Sequence, residues 1–232
     1  MRILLTTIVF CIFTYNSLNA QEVLLHENVA SDTITPKFGP NRLHFLHLYV
    51  DYAFFVDDGE KGAAVLHGNT AHLDIGFRYK YKISNFYAIG GDIAINSTRF
   101  HLKQNDKKIL PNTKINDKER YDLTTLQLGF YNRFNFGKRG NFLGYYIDLG
   151  AHGCLHTNLR HFTENEQPNG FIVSTTTSGL DYYERWGWGL HARIAYNRWV
   201  LSGSYRLSNL FKKSAAWPEL PRASVGFQIG LH

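Results

Sequence analysis

The stretch His72-Leu73-Asp74-Ile75-Gly76-Phe77-Arg78-Tyr79-Lys80-Tyr81-Lys82-Ile83 decides the fold. Leu73, Ile75, Phe77, Tyr79, Tyr81 and Ile83 fall on one parity, and every residue between them is polar, charged or glycine. A period of two puts alternate side chains on opposite faces of a β-strand. Ordinary strands run about five or six residues. This one matches the roughly 9–11 tilted residues that a strand needs to cross a bilayer. Seven further segments repeat the alternation, at residues 46–56, 87–96, 126–136, 145–152, 186–196, 201–207 and 224–231.

The connections alternate in length. Residues 84–85, 137–141 and 197–198 are tight turns of the kind that join antiparallel neighbours. Residues 57–69, 100–120, 157–183 and 209–221 are long polar links. Short turns at one end and long loops at the other predict an eight-stranded antiparallel up-and-down transmembrane β-barrel, with periplasmic turns and extracellular loops. The barrel is assigned to residues 43–232, and residues 21–42, without periodicity, to a periplasmic or lumen-entering extension.

The first twenty residues carry Arg2, an apolar run over 3–13 and Ser17-Leu18-Asn19-Ala20, the pattern of a cleaved secretory signal peptide. Its removal leaves 24 Lys+Arg against 19 Asp+Glu and one cysteine, Cys154. A lone thiol forms no internal disulfide. The modest basic excess lacks the clustered cations and interleaved aromatics expected for nucleic acid. No later run reaches 18 apolar residues, so any crossing of a membrane falls to the strands.

Two barrel types alternate in this way, with opposite faces inward. Aromatic placement favours lipid outside. Tyr81, Phe86, Tyr87, Phe134, Phe136, Phe142, Tyr196 and Trp199 flank the tight turns, and Trp186 and Trp188 begin a strand at the other rim. Such rings form interfacial girdles. The polar face agrees, because short carboxylates and guanidinium forks suit enclosed pairing. It carries Asp51, Asp74, Asp92 and Asp148 with Arg78, Arg133, Arg193, Arg206 and His191. Gly76, Gly129, Gly150, Gly226 and Gly230 on the same face make room for the long side chains.

Ser224-Val225-Gly226-Phe227-Gln228-Ile229-Gly230-Leu231 resembles the C-terminal signal of outer-membrane barrels, although the chain ends in His232 without a terminal aromatic. With the strand and loop rhythm of residues 43–232, the chain resembles the small eight-stranded outer-membrane barrels of Bacteroidota, which are porin-like in style. The resemblance implies a Gram-negative outer membrane, with lipid and lipopolysaccharide as surroundings. It also implies a role in anchoring, surface contact or scaffolding, including by analogy the tethering of a secretion machine. Protein partners would dock on the outer loops or the N-terminal extension.

An eight-stranded barrel is just wide enough for side chains to fill it. The charges therefore read as a network that closes the lumen, with acids on one wall facing cations on the other and Lys80 and Lys82 at a watered mouth. The alternatives are a narrow ion or small-solute channel and an enzyme modifying outer-membrane lipid. Lipid-modifying chemistry needs a serine, a histidine and an acid together. Ser202 and Ser204 lie beside Arg206 with no His-x-Ser pair, so no catalytic residue is assigned. His152, Cys154, His156 and His191 are zinc-ligand types, but alternate strand positions stand about 7 Å apart. No metal or cofactor is assigned. Residues 171–177, Phe-Ile-Val-Ser-Thr-Thr-Thr, suit a hairpin that extends two strands beyond the membrane.

Overall fold

A computed structural model of the chain describes residues 36–232. The residues read as a signal peptide, and most of those read as an extension, lie outside the described residues. The elements are β1 (His44–Phe55), β2 (Ala71–Lys82), β3 (Tyr87–His101), β4 (Lys118–Phe136), β5 (Tyr145–Glu166), β6 (Ile172–Thr177), β7 (Trp186–Tyr196), β8 (Trp199–Arg206) and β9 (Ala223–Leu231). Each strand from β1 to β5 pairs antiparallel with the next. β5 then pairs with β7, β7 with β8, β8 with β9 and β9 with β1, so eight strands form a closed ring. β6 stands outside it, paired with β5 alone.

The alternation sorts residues as the period requires. On β2, Ile75, Phe77 and Tyr79 are exposed, while Asp74, Arg78 and Lys80 are buried. The two-residue turn between β7 and β8 holds Asn197 at φ 53°, a left-handed conformation that asparagine tolerates.

β4 and β5 are longer than the expected strands. β4 begins at Lys118, eight residues before the apolar series that opens at Leu126. In this added part the polarity of the two faces is reversed. Arg120, Asp122 and Thr124 share the outward face of Leu126, and Tyr121 and Leu123 are buried. β3 does the same, with Arg99 outward and Phe100 inward beyond the apolar Ile93 and Ile95. On β5 a register shift beside Thr157 moves the inward parity from His156 to Leu159. Along β3 and β4 the turn-side part is apolar outside and mainly polar inside, and the loop-side part is the reverse.

Both ends are filled. At the loop end, Phe55, Val65, Phe100, Leu110, Tyr121, Leu123, Leu210 and Phe211 belong to one buried apolar cluster. At the turn end, Phe45, Leu143, Tyr146, Ala195 and Val200 form another. Lys80 is not watered as expected. It is 1% exposed, and its ammonium donates to the Pro40 carbonyl. Asn41 donates in turn to the carbonyls of Arg139 and Gly140, at 3.2 and 2.7 Å. The last residues before β1 thus cover the mouth at which water was expected to reach Lys80.

Candidate functional site in the lumen and at the loop rim

Five charged groups meet at mid-height. Arg133 donates to Asp148 from Nε and Nη2, at 2.7 and 2.8 Å. Arg193 donates to Asp92 at 2.9 Å and lies 4.0 Å from Asp148. Arg78 faces Asp92 at 3.4 Å and donates to Gln228 Oε1 at 3.0 Å. Three guanidiniums thus share two carboxylates, and tyrosine rings offset the excess cation. The Arg133 guanidinium stands 3.7 Å from the Tyr146 ring centre, and that of Arg78 stands 4.3 Å from Tyr49. A cation over an aromatic face in a dry setting is worth on the order of 2 kcal/mol. Tyr131 lies within 5.7 Å of Arg78 and Arg193 and 5.3 Å of Arg133, and the part of these rings in holding cations is not visible in the sequence.

The arrangement differs from two facing walls of opposite charge. Asp148 pairs on the adjacent strand with Arg133, while the Asp92–Arg193 pair crosses the lumen. Asp51 and Asp74 stand opposite each other in the β1–β2 register, and neither has an arginine partner among the described residues. Asp74 accepts from Asn96 and lies 4.0 Å from His72. Arg206 is not in this network. It donates to Glu219 at 2.9 Å and to the Leu220 carbonyl at 2.9 Å. Glu219, on the long β8–β9 connection, also accepts the amides of Leu210 and Phe211 at 3.0 and 3.1 Å. A loop glutamate, passed over in sequence because it lies outside every alternating run, is the true partner of Arg206.

Above the network lies a polar chamber of about 100 Å³, lined among others by Asp51, Asp74, His152, His156, His191 and Arg193. That volume admits several waters. Each histidine ring lies against a glycine of the neighbouring strand. An added Cβ at Gly150 would stand 2.6 Å from His191 Nε2, and one at Gly189 2.7 Å from His152 Nε2. The rings of His152 and His191 stack with centroids 5.7 Å apart. Among the described residues, no group of three or more histidine, cysteine or acidic side chains has the geometry to hold a metal ion. Cys154 lines the chamber wall as a free thiol.

Above the loop-end cluster, Glu119 is buried and accepts from His161 at 2.7 Å, Asn116 at 2.9 Å and Lys108. Burial pushes its carboxyl up, but these donors outweigh burial and hold it at about 2. Further out, Asp58 accepts from Lys103 and His67, which hold its carboxyl below the usual range. Beyond them, β5 and β6 form a hairpin that stands clear of the ring, as residues 171–177 suggested. All six β6 residues are exposed, as is Phe171 at its tip.

The aromatic residues expected at the rims all lie on the outward face or in the tight turns. Tyr81, Phe86, Phe136, Phe142, Trp186, Trp188, Tyr196 and Trp199 are exposed, and Tyr87 and Phe134 are half-buried against each other. No family model matches the chain, and no curated protein matches it in sequence. Among solved structures, it is similar to Ail, the attachment invasion locus protein of Yersinia pestis, solved with the heparin analogue sucrose octasulfate. Identity is 14%, coverage is 80% of this chain and 94% of that one, and the TM-score is 0.32.

Proposed function

We propose that the chain is an outer-membrane β-barrel that anchors an extracellular interaction surface and neither conducts nor catalyses. The outward apolar belt, with aromatic rings toward both rims, supports burial in lipid. The absence of any long apolar helix among the described residues is neutral, since a barrel crosses with strands. The observation that carries the interaction role is the free edge of β6. Among the described residues, Ile172-Val173-Ser174-Thr175-Thr176-Thr177 pairs on one side only, and it is exposed on both faces and contains no charge or proline. Natural edge strands are usually blunted by such residues. An unprotected edge suits an added strand from a partner, whose backbone supplies affinity and whose alternate side chains supply specificity.

Cross-linking pull-down from native outer membranes tests this directly. The intact chain is expected to capture a partner, and a variant with residues 162–176 replaced by a short Asn-Gly turn between the paired His161 and Thr177 is expected to lose it while staying folded. Recovery of monomer only, under conditions that retain known complexes, would count against the proposal. The channel alternative predicts conductance in planar bilayers. Two apolar caps above and below the charge network favour its absence.

A further inference from the structure

The outward face of β3, β4 and β5 carries a charge cluster outside the lumen network and outside the β6 edge. In the strand registers Arg99 stands opposite Asp122, and Asp122 opposite Arg160. One pleat further on, His101 stands opposite Arg120, and Arg120 opposite Phe162. Asp122 holds Arg120 Nε at 3.2 Å and Arg99 Nε at 3.8 Å. Both contacts use Nε, and the terminal nitrogens have no hydrogen-bond partner among the described residues. The Arg99 side chain is 66% exposed, and Arg160 is exposed and has no ion pair among the described residues. The Arg120 guanidinium is braced 4.2 Å from the Phe162 ring centre. Three guanidiniums around one carboxylate leave a surplus of two positive charges on one face.

Their height singles out a ligand. Arg99 lies four residues beyond the apolar Ile95, and Asp122 four residues from Leu126. Four strand residues tilted at about 40° rise roughly 10 Å. The headgroup layer reaches roughly 5–8 Å from the hydrocarbon on each side, within the span of an arginine side chain. We infer that Arg99, Arg120 and Arg160 bind a phosphate of an anionic lipid headgroup, of the lipopolysaccharide class, in the outer leaflet. The inference rests on the membrane reading above. The guanidinium fork matches phosphate oxygens two at a time. The cluster lies on the outward face of the sheet, with Arg99 and Arg160 open to the surroundings. Such a site fills when its ligand is confined to the same surface at high effective concentration.

The test uses the full chain in phosphatidylcholine nanodiscs, loaded with lipopolysaccharide or its enzymatically dephosphorylated form, and reads retained glycolipid by mass. The wild-type chain is expected to retain the phosphorylated form about tenfold better, the value of one charge-assisted contact. The combined variant Arg99→Gln, Arg120→Gln, Arg160→Gln should lose that preference. Arg160→Glu alone, at an exposed position that the fold does not use, should weaken it. Inorganic phosphate at millimolar concentration should not compete. Equal retention of both lipid forms, equal behaviour of wild-type and variants, or competition by free phosphate would each overturn the inference while leaving the barrel reading intact. Failure of the wild-type chain to insert would overturn both.

Discussion

Replacing Asp148 by asparagine removes one charge from the centre of the lumen and leaves the fold otherwise unchanged. In the native chain Asp148 accepts two bonds from Arg133, at 2.7 and 2.8 Å, and both side chains are wholly buried. Three guanidiniums would then share the single carboxylate of Asp92. Stranding one member of a buried pair costs about 3–5 kcal/mol. Each 1.4 kcal/mol is a factor of ten in the folding equilibrium. Urea unfolding in phosphatidylcholine vesicles, followed by tryptophan emission and by the gel shift of the folded barrel, measures the loss. The double replacement Arg133→Met with Asp148→Leu removes the pair together, and its cost should fall to within about 1 kcal/mol of wild type. A single variant that loses less than about 1 kcal/mol would refute the account, as would a double variant no better than the single. Conductance in planar bilayers should stay at background in both, because every residue of the two apolar caps is retained. Current through Asp148→Asn would revive the channel alternative.

Two further outcomes follow from the packing. Gly150→Ala places a methyl against the His191 ring and the Phe130 carbonyl. Overpacking should cost about 1–3 kcal/mol in the same unfolding assay, with His191→Ala in the same chain restoring part of it. Glu119 sets a pH dependence. Its carboxyl is held at about 2 in the folded chain against an ordinary 4.5, so its contribution is complete above about pH 4.5. It is lost as pH falls through the folded value, by at most about 3 kcal/mol. Glu119→Gln should remove that part of the acid slope, and an unchanged difference between wild-type and variant from pH 6 to pH 2 would contradict it.

The ring was legible because His72–Ile83 and its seven counterparts alternate over long runs, and because Asn197-Arg198 and its like are too short for anything but hairpins. The loop-end half was not. Arg120-Tyr121-Asp122-Leu123-Thr124 alternates as cleanly as any strand, but in the opposite phase to Leu126 onward. A reader seeking one apolar parity takes the inversion for a loop. On β5 the shift beside Thr157 changes parity a second time. The inward identity of Asp92, Asp148, Arg133 and Arg193 was readable, yet their partnerships were not. Arg193 and Asp92 are 101 residues apart, and the stagger of the ring decides which carboxylate each guanidinium meets. Arg206 illustrates the limit, since its carboxylate comes from an irregular connection with no period to announce it.

The exchange of polar and apolar faces part-way up β3 and β4 acts, on the membrane reading, as a waterline. Sinking the barrel by one pleat would draw Ser97 and Thr124 into hydrocarbon and carry Arg99 and Asp122 toward it. Raising it by one would lift Ile95 and Leu126 into water. Charged groups on a barrel's lipid face cost about 2–4 kcal/mol near the midplane and progressively less toward the interface. The two penalties oppose each other around the circumference, so immersion depth is set to within about one residue pair. The hairpin of β5 and β6 is thereby presented at a fixed height above the surface.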